Sequence, residues 1–544
     1  MASLREQLRA AAGVALSRET LYGELDAAAG DGDFGAILAR AARLVRVAMN
    51  DAEGSATDGE LLVIAAQAVA GVGGTTGPLW GTGLLRAADA IGSGPAPALR
   101  AAAEGIADVG GARAGDRTLL DALLPAAEAL EAGRDPVVAA AEGAAATAGM
   151  IARRGRASYV PGGGMGHVDA GAQAVADLIA AALSPPAIAA PAVPEESPES
   201  AAASPGHIVA DPDRLVDDAL AGLVAASGGE LQVSYAPRFV ARTDAAVSGS
   251  VALISGGGSG HEPLHAGLIG PGLLTAACPG EVFASPSADA VHAAIASVDT
   301  GAGVLLVVKN YTGDVLNFRL GADLARREGH RVETVLVADD IALDDPGEVD
   351  QVDEDEGVGR RGVAGTIVVE KICGAAAEAG ADLAEVAALG RRVAAATRSI
   401  GVAVSGVTLP AGGVAAITLA SGEQEFGVGI HGEAGRERGA AQRADHLVAR
   451  MCEALLADGA PGEEVLLYTN GLGGIPGLEL SAVHGYAVRH LLDAGVRVTR
   501  SMAASLVTSL GMVGFSLTIS SLDPGLAGYW DAPCASAAWT VSQR

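Results

Sequence analysis

The sequence is poor in positive charge. Its 544 residues contain 36 lysines and arginines against 65 aspartates and glutamates, so that the formal net charge is -29. An acidic field of this size repels the phosphates of nucleic acids and the headgroups of anionic membranes. Neither nucleic acid nor a membrane is therefore expected as a partner, and an anionic nucleotide would need a metal ion or backbone amides to bind.

Lysine is nearly absent, since only Lys309 and Lys371 occur among the 36 basic residues. Coding bias toward arginine is one explanation, and it acts most freely at exposed positions. The other is that a retained lysine marks a position where a compact ammonium cannot be replaced by a planar guanidinium group. Lys309 is the stronger candidate for such a position, and Lys371 is the weaker one.

Cysteine is also scarce, and long apolar runs are missing. The four cysteines lie far apart and show no CxxC or Cys/His ligand spacing, which disfavours a disulfide framework and a zinc site. The N-terminal segment MASLREQLRA predicts the start of an amphipathic helix, and no uncharged run of membrane-spanning length follows. We therefore expect a protein of the reducing cytoplasm.

Aromatic residues make up only 3% of the chain, although 50% of it is hydrophobic. Such a composition favours closely packed helices over cores built from aromatic rings. The chain is too long for one hydrophobic core, and we expect about two to four domains.

Three segments differ in pattern. Residues 1–183 carry apolar residues at helical spacing, as in LLVIAAQAVAGV, and predict an all-helical domain with glycine-rich loops. Residues 184–205 contain six prolines and predict an extended linker. Residues 206–544 alternate helical stretches with short apolar runs and predict an α/β domain with buried strands. The predicted strands are VALIS at 251, GVLLVVK at 303, VETVLVA at 332, GTIVVE at 365, IGVAVSG at 400 and VLLYT at 465.

A carboxylate cluster lies near the N-terminus. The segment LDAAAGDGDFG places Asp26, Asp31 and Asp33 within eight residues, with glycines between them. Three carboxylates that converge suit Mg²⁺ bound to a triphosphate. The alternative is that they cap a helix and form a tight turn.

Glycine-rich loops follow in the same helical segment. GVGGTTGP offers backbone amides and the hydroxyls of Thr75 and Thr76 just before a helical stretch, an arrangement that suits phosphate. GDRTLLDALLPA and GRASYVPGGGMGHVDAG add Gly115, Arg156 and Asp169. Each loop alone also fits an ordinary cap or turn.

Polar residues follow several of the predicted strands in the second half. VALISGGGSGHEP continues from a strand into a glycine-rich loop that ends at His261, and VVKNYTGD ends another strand with Lys309 and Asp314. FGVGIHGEAG sets His431 between glycines, which leave room for a ligand beside the imidazole. Open α/β sheets bind ligands at the carboxyl ends of their strands. A purely structural role is the alternative for His261.

In this order, the loops of residues 1–183 resemble the nucleotide-binding L-type domain of the dihydroxyacetone kinase family. The resemblance implies a barrel of helices that binds ATP through two Mg²⁺ ions, with Asp26, Asp31 and Asp33 as metal ligands. The nucleotide contacts that it implies are Phe34, Gly35, Thr75, Thr76, Gly115, Arg156, Asp169 and Gly171.

The motifs of residues 206–544 resemble the substrate-binding K-type domain of the same family, an α/β domain of two subdomains. The resemblance implies that His431 adds to the ketone of dihydroxyacetone to form a covalent hemiaminal. Asp314 is then the general base, and His261 assists hemiaminal formation. The residues implied to hold the triose are Gly258, Ser259, Gly260, His261, Lys309 and Asp314.

Two departures from the family pattern stand out: the nucleotide domain precedes the substrate domain, and residues 160–165 read VPGGGM where charged residues are usual. The family resemblance implies a homodimer. It leaves open a four-carbon ketose such as erythrulose as the substrate, and a homologue that takes its phosphate from a phosphotransferase protein or regulates transcription.

Overall fold

The computed structural model describes residues 3–27, 34–72, 75–153, 164–183, 207–245, 249–343, 359–408, 410, 418–433, 435–459 and 464–542. The chain divides into two compact units. The helical unit comprises Met1–Ser197 with Ser287–Asp289, and the α/β unit comprises Pro198–Pro286 with Ala290–Arg544. The predicted linker, 184–205, lies outside the described residues.

The described part of the N-terminal segment is helical, as predicted, and has no strand. Capping boxes begin two of its helices, where Ser3 pairs with Glu6 and Thr57 with Glu60. The helices are α1 (Leu4–Ser17), α2 (Glu19–Ala27), α3 (Phe34–Asp51), α4 (Asp58–Ala70), α5 (Thr76–Ala90), α6 (Pro95–Gly110), α7 (Leu120–Glu131), α8 (Pro136–Ala146) and α9 (Ala170–Leu183).

Small residues let these helices approach closely. A Cβ atom on Gly35 of α3 would lie 2.1 Å from the carbonyl oxygen of Glu19 in α2. A Cβ atom on Gly77 of α5 would lie 1.9 Å from the carbonyl oxygen of Val72. Many of the buried core residues between the helices are alanines. The prediction of closely packed helices is thus confirmed for the described residues.

The second unit alternates helices and strands, which confirms the α/β prediction. Its helices are α10 (Leu215–Ala226), α11 (Ala288–Val298), α12 (Thr312–Arg327), α13 (Thr366–Glu378), α14 (Leu383–Ala395), α15 (Ala444–Ala457), α16 (Gly477–Asp493) and α17 (Pro524–Asp531). Its strands are β1 (Leu231–Tyr235), β2 (Arg238–Arg242), β3 (Ala252–Ser259), β4 (Ala276–Val282), β5 (Val304–Lys309), β6 (Val332–Val337), β7 (Thr397–Ala403), β8 (Glu423–Phe426), β9 (Glu437–Ala440), β10 (Glu464–Gly471), β11 (Arg497–Ala504), β12 (Gly514–Ser520), β13 (Cys534–Ala535) and β14 (Thr540–Val541).

Two six-stranded sheets organise this unit. The first has the order β1-β2-β4-β3-β5-β6, and its strands β4, β3, β5 and β6 run parallel. The second has the order β11-β10-β12-β7-β8-β9 and is antiparallel except for the pair β10–β11. A parallel arrangement brings the carboxyl ends of β3 and β5, at Ser259 and Lys309, to one edge of the first sheet.

One strand prediction is wrong. The run GTIVVE at 365 belongs to helix α13, whose residues from Thr366 to Ala377 are all buried. Four consecutive apolar or β-branched residues fit a buried strand and a buried helix equally well. Here the helix continues through KICGAAAE, and packing on every side outweighs the β propensity of Ile367, Val368 and Val369.

The four cysteines, Cys278, Cys373, Cys452 and Cys534, are buried free thiols. Burial raises the pKa of Cys373 and of Cys452 to about 12, with a smaller contribution from a neighbouring glutamate in each case. Within the described residues, no helix is both long enough and apolar enough to cross a membrane.

Candidate active site

Three rings from distant parts of the α/β unit surround the ring of His431. The centroid of the His431 ring lies 4.6 Å from that of His261, 4.7 Å from that of Tyr311 and 5.3 Å from that of Phe283. All three approach edge to face, at interplanar angles of 77° to 89°. The structure therefore brings together the two histidines that the sequence predicted for the substrate site.

Glu433 orients the His431 imidazole. The Nδ1 atom of His431 lies 2.8 Å from Oε1 of Glu433, and the backbone amide of His431 donates to Oε2 at 3.0 Å. Burial alone would raise the pKa of Glu433, but the hydrogen bond and charge of His431, together with Arg361, lower it to about 2. Glu433 is thus an ionised carboxylate that accepts a hydrogen bond from the Nδ1–H group of His431. In a neutral imidazole the lone pair then lies on Nε2.

A buried arginine supports this carboxylate. A guanidinium nitrogen of Arg361 lies 3.9 Å from Oε2 of Glu433, and another lies 2.7 Å from Oδ2 of Asp340. Arg361 also donates to the carbonyl of Gly427 at 3.0 Å. A Cβ atom on Gly429 would lie 2.0 Å from Oε2 of Glu433, so this glycine of the GVGIHGE segment makes room for the carboxylate. The motif indicated His431 but not these supporting contacts.

His261 is held as a hydrogen-bond acceptor. Its Nδ1 donates to the carbonyl oxygen of Thr508 at 2.8 Å, and its buried Nε2 has no hydrogen-bond partner among the described residues. Burial, and then the charges of His431 and Lys309, lower its pKa well below the usual value. The ring is neutral near pH 7, and Nε2 presents a lone pair to the site. Stacking on Phe283, at 5.0 Å and 23°, fixes the ring plane.

Glycines of the predicted substrate loop are required by close backbone approaches. A Cβ atom on Gly258 would lie 2.8 Å from backbone atoms of Phe283 and Ala284, and Gly260 has a φ of +106°. The hydroxyl of Ser259 donates to the carbonyl of Gly280 at 2.7 Å. Its hydrogen is therefore used within the fold, and a ligand would meet the loop through backbone groups.

Lys309 and Asp314 form a buried ion pair between β5 and the first turn of α12. The ammonium Nζ lies 3.3 Å from Oδ2 of Asp314, and the two side chains are 1% and 4% exposed. The other oxygen of Asp314, Oδ1, is buried and has no partner in the described part of the chain. Asp314 thus presents one carboxylate oxygen that no described group satisfies.

Sequence reasoning missed a second buried pair behind this lysine. Nε2 of His265 lies 3.1 Å from Nζ of Lys309, and Nδ1 of His265 lies 2.7 Å from Oε1 of Glu370. Burial raises the pKa of Glu370 to about 8, against smaller lowering effects of Ser255 and Lys309. The spacing HEPLH gave the only sequence signal, because it sets a second histidine four residues after His261.

Lys371 serves the fold. It is fully buried on α13, and its ammonium donates to the carbonyl of Tyr529 at 2.8 Å. The expectation that Lys309 is the more important of the two lysines for the site agrees with this contact.

The predicted metal ligands are described only in part. Oδ2 of Asp26 accepts a hydrogen bond from the backbone amide of Phe34 at 3.3 Å. Asp31 and Asp33 lie outside the described residues, and so does Arg156, which is a predicted nucleotide contact. Thr75 precedes helix α5 and makes no side-chain capping bond to it. Asp26 thus fits in part the alternative that these residues cap a helix, whereas the side chain of Thr75 does not.

Three of the other predicted nucleotide residues, Gly115, Asp169 and Gly171, lie in a loop cluster beside α7 and α9. Oδ1 of Asp169 accepts from the amide of Ala172 at 2.8 Å at the start of α9. Burial raises the pKa of Asp169 to about 6, although the hydrogen bond from Ala172 and the charge of Arg117 lower it. Asp121, which the sequence did not indicate, accepts from the amides of Gly115 and Thr118.

Arg117 has an unusual conformation in this cluster. It is 2% exposed and has a φ of +62°, and its guanidinium donates to the carbonyl of His167 at 3.1 Å. Gly171 lies close by, because its Cβ atom would be 3.2 Å from Oδ1 of Asp169. The predicted residues Gly115, Asp169 and Gly171 therefore belong to one cluster.

Two family models match the chain. The model described as Dak1 domain matches residues 221–538, more than half of the chain, and the model described as DAK2 domain matches residues 28–184. The chain belongs to the dihydroxyacetone kinase family. The predicted order of the family's two domains, with the L-type domain first, is confirmed.

Named relatives and solved structures agree with this family. The chain is 40% identical over 352 residues to the dihydroxyacetone-binding subunit DhaK of the PEP-dependent dihydroxyacetone kinase of Escherichia coli, which covers 60% of the chain and 96% of DhaK. It is 38% identical over 331 residues to D-erythrulose kinase of Mycolicibacterium smegmatis, covering 60% of the chain and 55% of that kinase. The dihydroxyacetone kinase of C. freundii in complex with AMP-PNP and Mg²⁺ superposes with a TM-score of 0.57 at 40% identity, covering 62% of the chain and 61% of that kinase.

Coverage differs between these relatives. DhaK is matched over almost its full length, whereas the D-erythrulose kinase and the human Triokinase/FMN cyclase are matched over 55% and 56% of theirs. The kinase family is therefore established, and the activity of the whole chain is a matter for proposal.

Proposed function

We propose that this chain is an ATP-dependent kinase that captures dihydroxyacetone as a covalent hemiaminal on His431 and phosphorylates it to dihydroxyacetone phosphate. The observation that carries the proposal is the contact of His431 with Glu433, which leaves Nε2 of the imidazole as the nucleophile. The names of DhaK and of the C. freundii kinase support the choice of substrate and nucleotide.

The capture step uses three groups. Nε2 of His431 adds to the ketone carbon, the π electrons of the carbonyl move to oxygen, and that oxygen takes up one proton from solvent, which balances the Nδ1 proton that the imidazole gives up. Glu433 offsets the positive charge that develops on the imidazole and can accept its Nδ1 proton. His261, with a lone pair on Nε2, accepts a hydrogen bond from a substrate hydroxyl. Covalent capture rejects glycerol, which has no carbonyl group.

Phosphoryl transfer then requires a base at the substrate hydroxyl. Asp314 fills this role through Oδ1, which has no partner among the described residues. The hydroxyl gives its proton to Asp314 as its oxygen attacks the γ-phosphorus, and the bond to the leaving oxygen of ADP breaks. Lys309 forms an ion pair with Asp314, and its positive charge offsets the negative charge of that carboxylate.

The helical unit is proposed to hold the nucleotide. Asp26, Asp31 and Asp33 would bind two Mg²⁺ ions, which neutralise triphosphate charge. This proposal also includes the L-type barrel of helices, the division of the α/β unit into two subdomains, the domain boundaries 1–183 and 206–544, and a homodimer. The residues proposed to contact the nucleotide are Phe34, Gly35, Thr75, Thr76, Gly115, Arg156, Asp169 and Gly171.

A four-carbon ketose is the second candidate substrate. It is favoured by the relative named D-erythrulose kinase, which is 38% identical over 331 residues. The same ketone capture serves both sugars, so that the choice depends on the space beyond the third carbon. Comparison of kcat/KM for dihydroxyacetone and erythrulose distinguishes the two.

The central test is turnover with Mg-ATP as the only phosphate donor. We expect purified protein to release ADP in the presence of dihydroxyacetone and not with glycerol. If ADP release does not exceed that of a sugar-free control, and a phosphotransferase protein restores turnover, then the ATP-dependent proposal is wrong. A phosphotransferase-coupled role would take its place.

A further inference from the structure

Lys309, His265 and Glu370 form a chain of contacts behind Asp314. We propose that His265 and Glu370 are positioning residues for Asp314, acting through the ammonium of Lys309. This inference rests on the proposed function, in which Asp314 is the base. The four side chains are between 0% and 6% exposed, so that none can replace a lost partner with bulk water.

The ammonium of Lys309 has three protons and three acceptors. Nζ lies 3.1 Å from the carbonyl oxygen of Gly256, 3.1 Å from Nε2 of His265 and 3.3 Å from Oδ2 of Asp314. Each acceptor thus takes one proton, and none is left to turn toward Oδ1 of Asp314. Since Oδ1 has no partner in the described part of the chain, it is the oxygen that can take a substrate proton.

The lysine fixes the tautomer of His265. An ammonium can only donate, so Nε2 of His265 must accept, and the proton of the neutral ring resides on Nδ1. That proton has one acceptor, Oε1 of Glu370, at 2.7 Å. Burial, followed by the charge of Lys309, lowers the pKa of His265 well below its usual value and keeps the ring neutral. The direction of every hydrogen bond from Glu370 to Asp314 is then determined.

Loss of the acceptor oxygen on Glu370 would disturb Asp314, which is linked to it by three successive contacts. Without Oε1, the Nδ1 proton of His265 is buried and unpaired, and the other tautomer of the ring becomes favourable. In that tautomer Nε2 carries the proton and repels the ammonium. The freed N–H of Lys309 then turns to Oδ1 of Asp314, the oxygen needed for the substrate. The expected result is slower proton removal with little change in sugar capture, since His431 lies outside this chain of contacts.

The charge of Glu370 is not needed for this role. Burial raises its pKa to about 8, and a neutral carboxyl group still accepts through its carbonyl oxygen. Glu370→Gln keeps such an oxygen, whereas Glu370→Met removes it at similar side-chain length. Glu378→Met is the matched control, because Glu378 is half exposed at the end of the same helix, α13.

The test compares these variants of the full chain with Mg-ATP and dihydroxyacetone. We expect Glu370→Met, which leaves a buried donor unpaired, to lower kcat about tenfold to a hundredfold with KM for the sugar and the His431 adduct unchanged. Glu370→Gln and Glu378→Met should retain kcat within about threefold. Unchanged kcat in Glu370→Met overturns the inference, and so does an equal loss in Glu370→Gln, because that variant keeps the acceptor.

A second measurement does not depend on turnover. In nitrogen-15 spectra of histidine-labelled protein, assigned with His265→Gln, we expect the His265 ring of wild type and Glu370→Gln to carry its proton on Nδ1. A wild-type ring protonated on Nε2 overturns the inference even if the variants lose activity. Absence of ATP turnover in the wild type, with this tautomer present, would instead contradict the proposed function and leave the hydrogen-bond chain intact.

Discussion

The carboxylate of Glu433 lies 2.8 Å from Nδ1 of His431, two residues earlier in the same loop. This contact orients the ring, and in the proposed mechanism it supplies negative charge as the ring becomes a cation during attack. Glu433→Gln should therefore slow adduct formation about tenfold to a hundredfold, as expected for loss of a hydrogen bond to a charged group. The time course of the adduct, followed by intact-protein mass spectrometry, measures the effect. Glu437→Gln, an exposed position on β9, should leave the time course unchanged, and equal behaviour of the two variants would contradict the role of Glu433.

Replacement of the proposed nucleophile, His431, should abolish capture. His431→Ala is expected to remove the sugar adduct from the mass spectrum and to leave nucleotide binding unchanged, because the nucleotide is proposed to bind in the helical unit. His446→Ala, at an exposed position of α15, is the control. An adduct that persists in His431→Ala would show that another group is the nucleophile.

The converse variant lies in the helical unit. Asp31→Ala should abolish Mg-ATP binding, measured by calorimetry, since Mg²⁺ loses one of its proposed carboxylate ligands. Adduct formation with dihydroxyacetone should continue at the wild-type rate. If both properties are lost together, sugar capture and nucleotide binding are not separable in the way that we propose.

The glycine-rich loop provides a steric test. In Gly258→Ala, the new Cβ atom would lie 2.8 Å from backbone atoms of Phe283 and Ala284, so that Phe283 and the His261 ring stacked on it must move. We expect KM for the sugar to rise and the free energy of unfolding to fall by about 1–3 kcal/mol. Gly485→Ala, in α16 with nothing within 4 Å, should instead be neutral or stabilising by up to about 1 kcal/mol. A wild-type KM in Gly258→Ala would contradict the close approach.

The buried carboxyl of Glu370 predicts a pH dependence of stability. Its pKa is raised from 4.5 to about 8 by burial, against lowering by Ser255 and Lys309. The folded chain therefore holds a proton that the unfolded chain releases above pH 4.5, and stability falls as the pH rises from there to about 8. Glu370→Gln should lack this fall. The unfolding free energy of the variant minus that of the wild type should therefore increase by up to about 1.4 kcal/mol per pH unit. Parallel stability curves between pH 5 and pH 8 would contradict the raised pKa.

The sequence indicated the candidate-site residues that lie in polar or glycine-rich motifs after buried strands. His261, Lys309, Asp314 and His431 stand in such motifs, and all four lie in the candidate site of the α/β unit. The supporting residues were missed because their partners are distant in sequence. Glu370, for example, bonds a histidine 105 positions away, and no local pattern reports such a contact.

The misassigned run at 365 has a related cause. A fully buried helix shows no polar face, so that the apolar residues of α13 lose the period that distinguishes a helix from a strand. Glu370 is the last residue of the same run, and its burial within α13 was not predicted either. Only tertiary packing determines both.

The two lysines are the only ones in the chain, and they are 1% and 0% exposed. The folded surface consequently offers no side-chain amine to acylating reagents, to amine-directed crosslinkers or to enzymes that modify lysine. Any such label found on Lys309 or Lys371 would report a transient opening of the α/β unit. The two lysines can therefore report local unfolding, Lys309 at the proposed substrate site and Lys371 in the packing of α13.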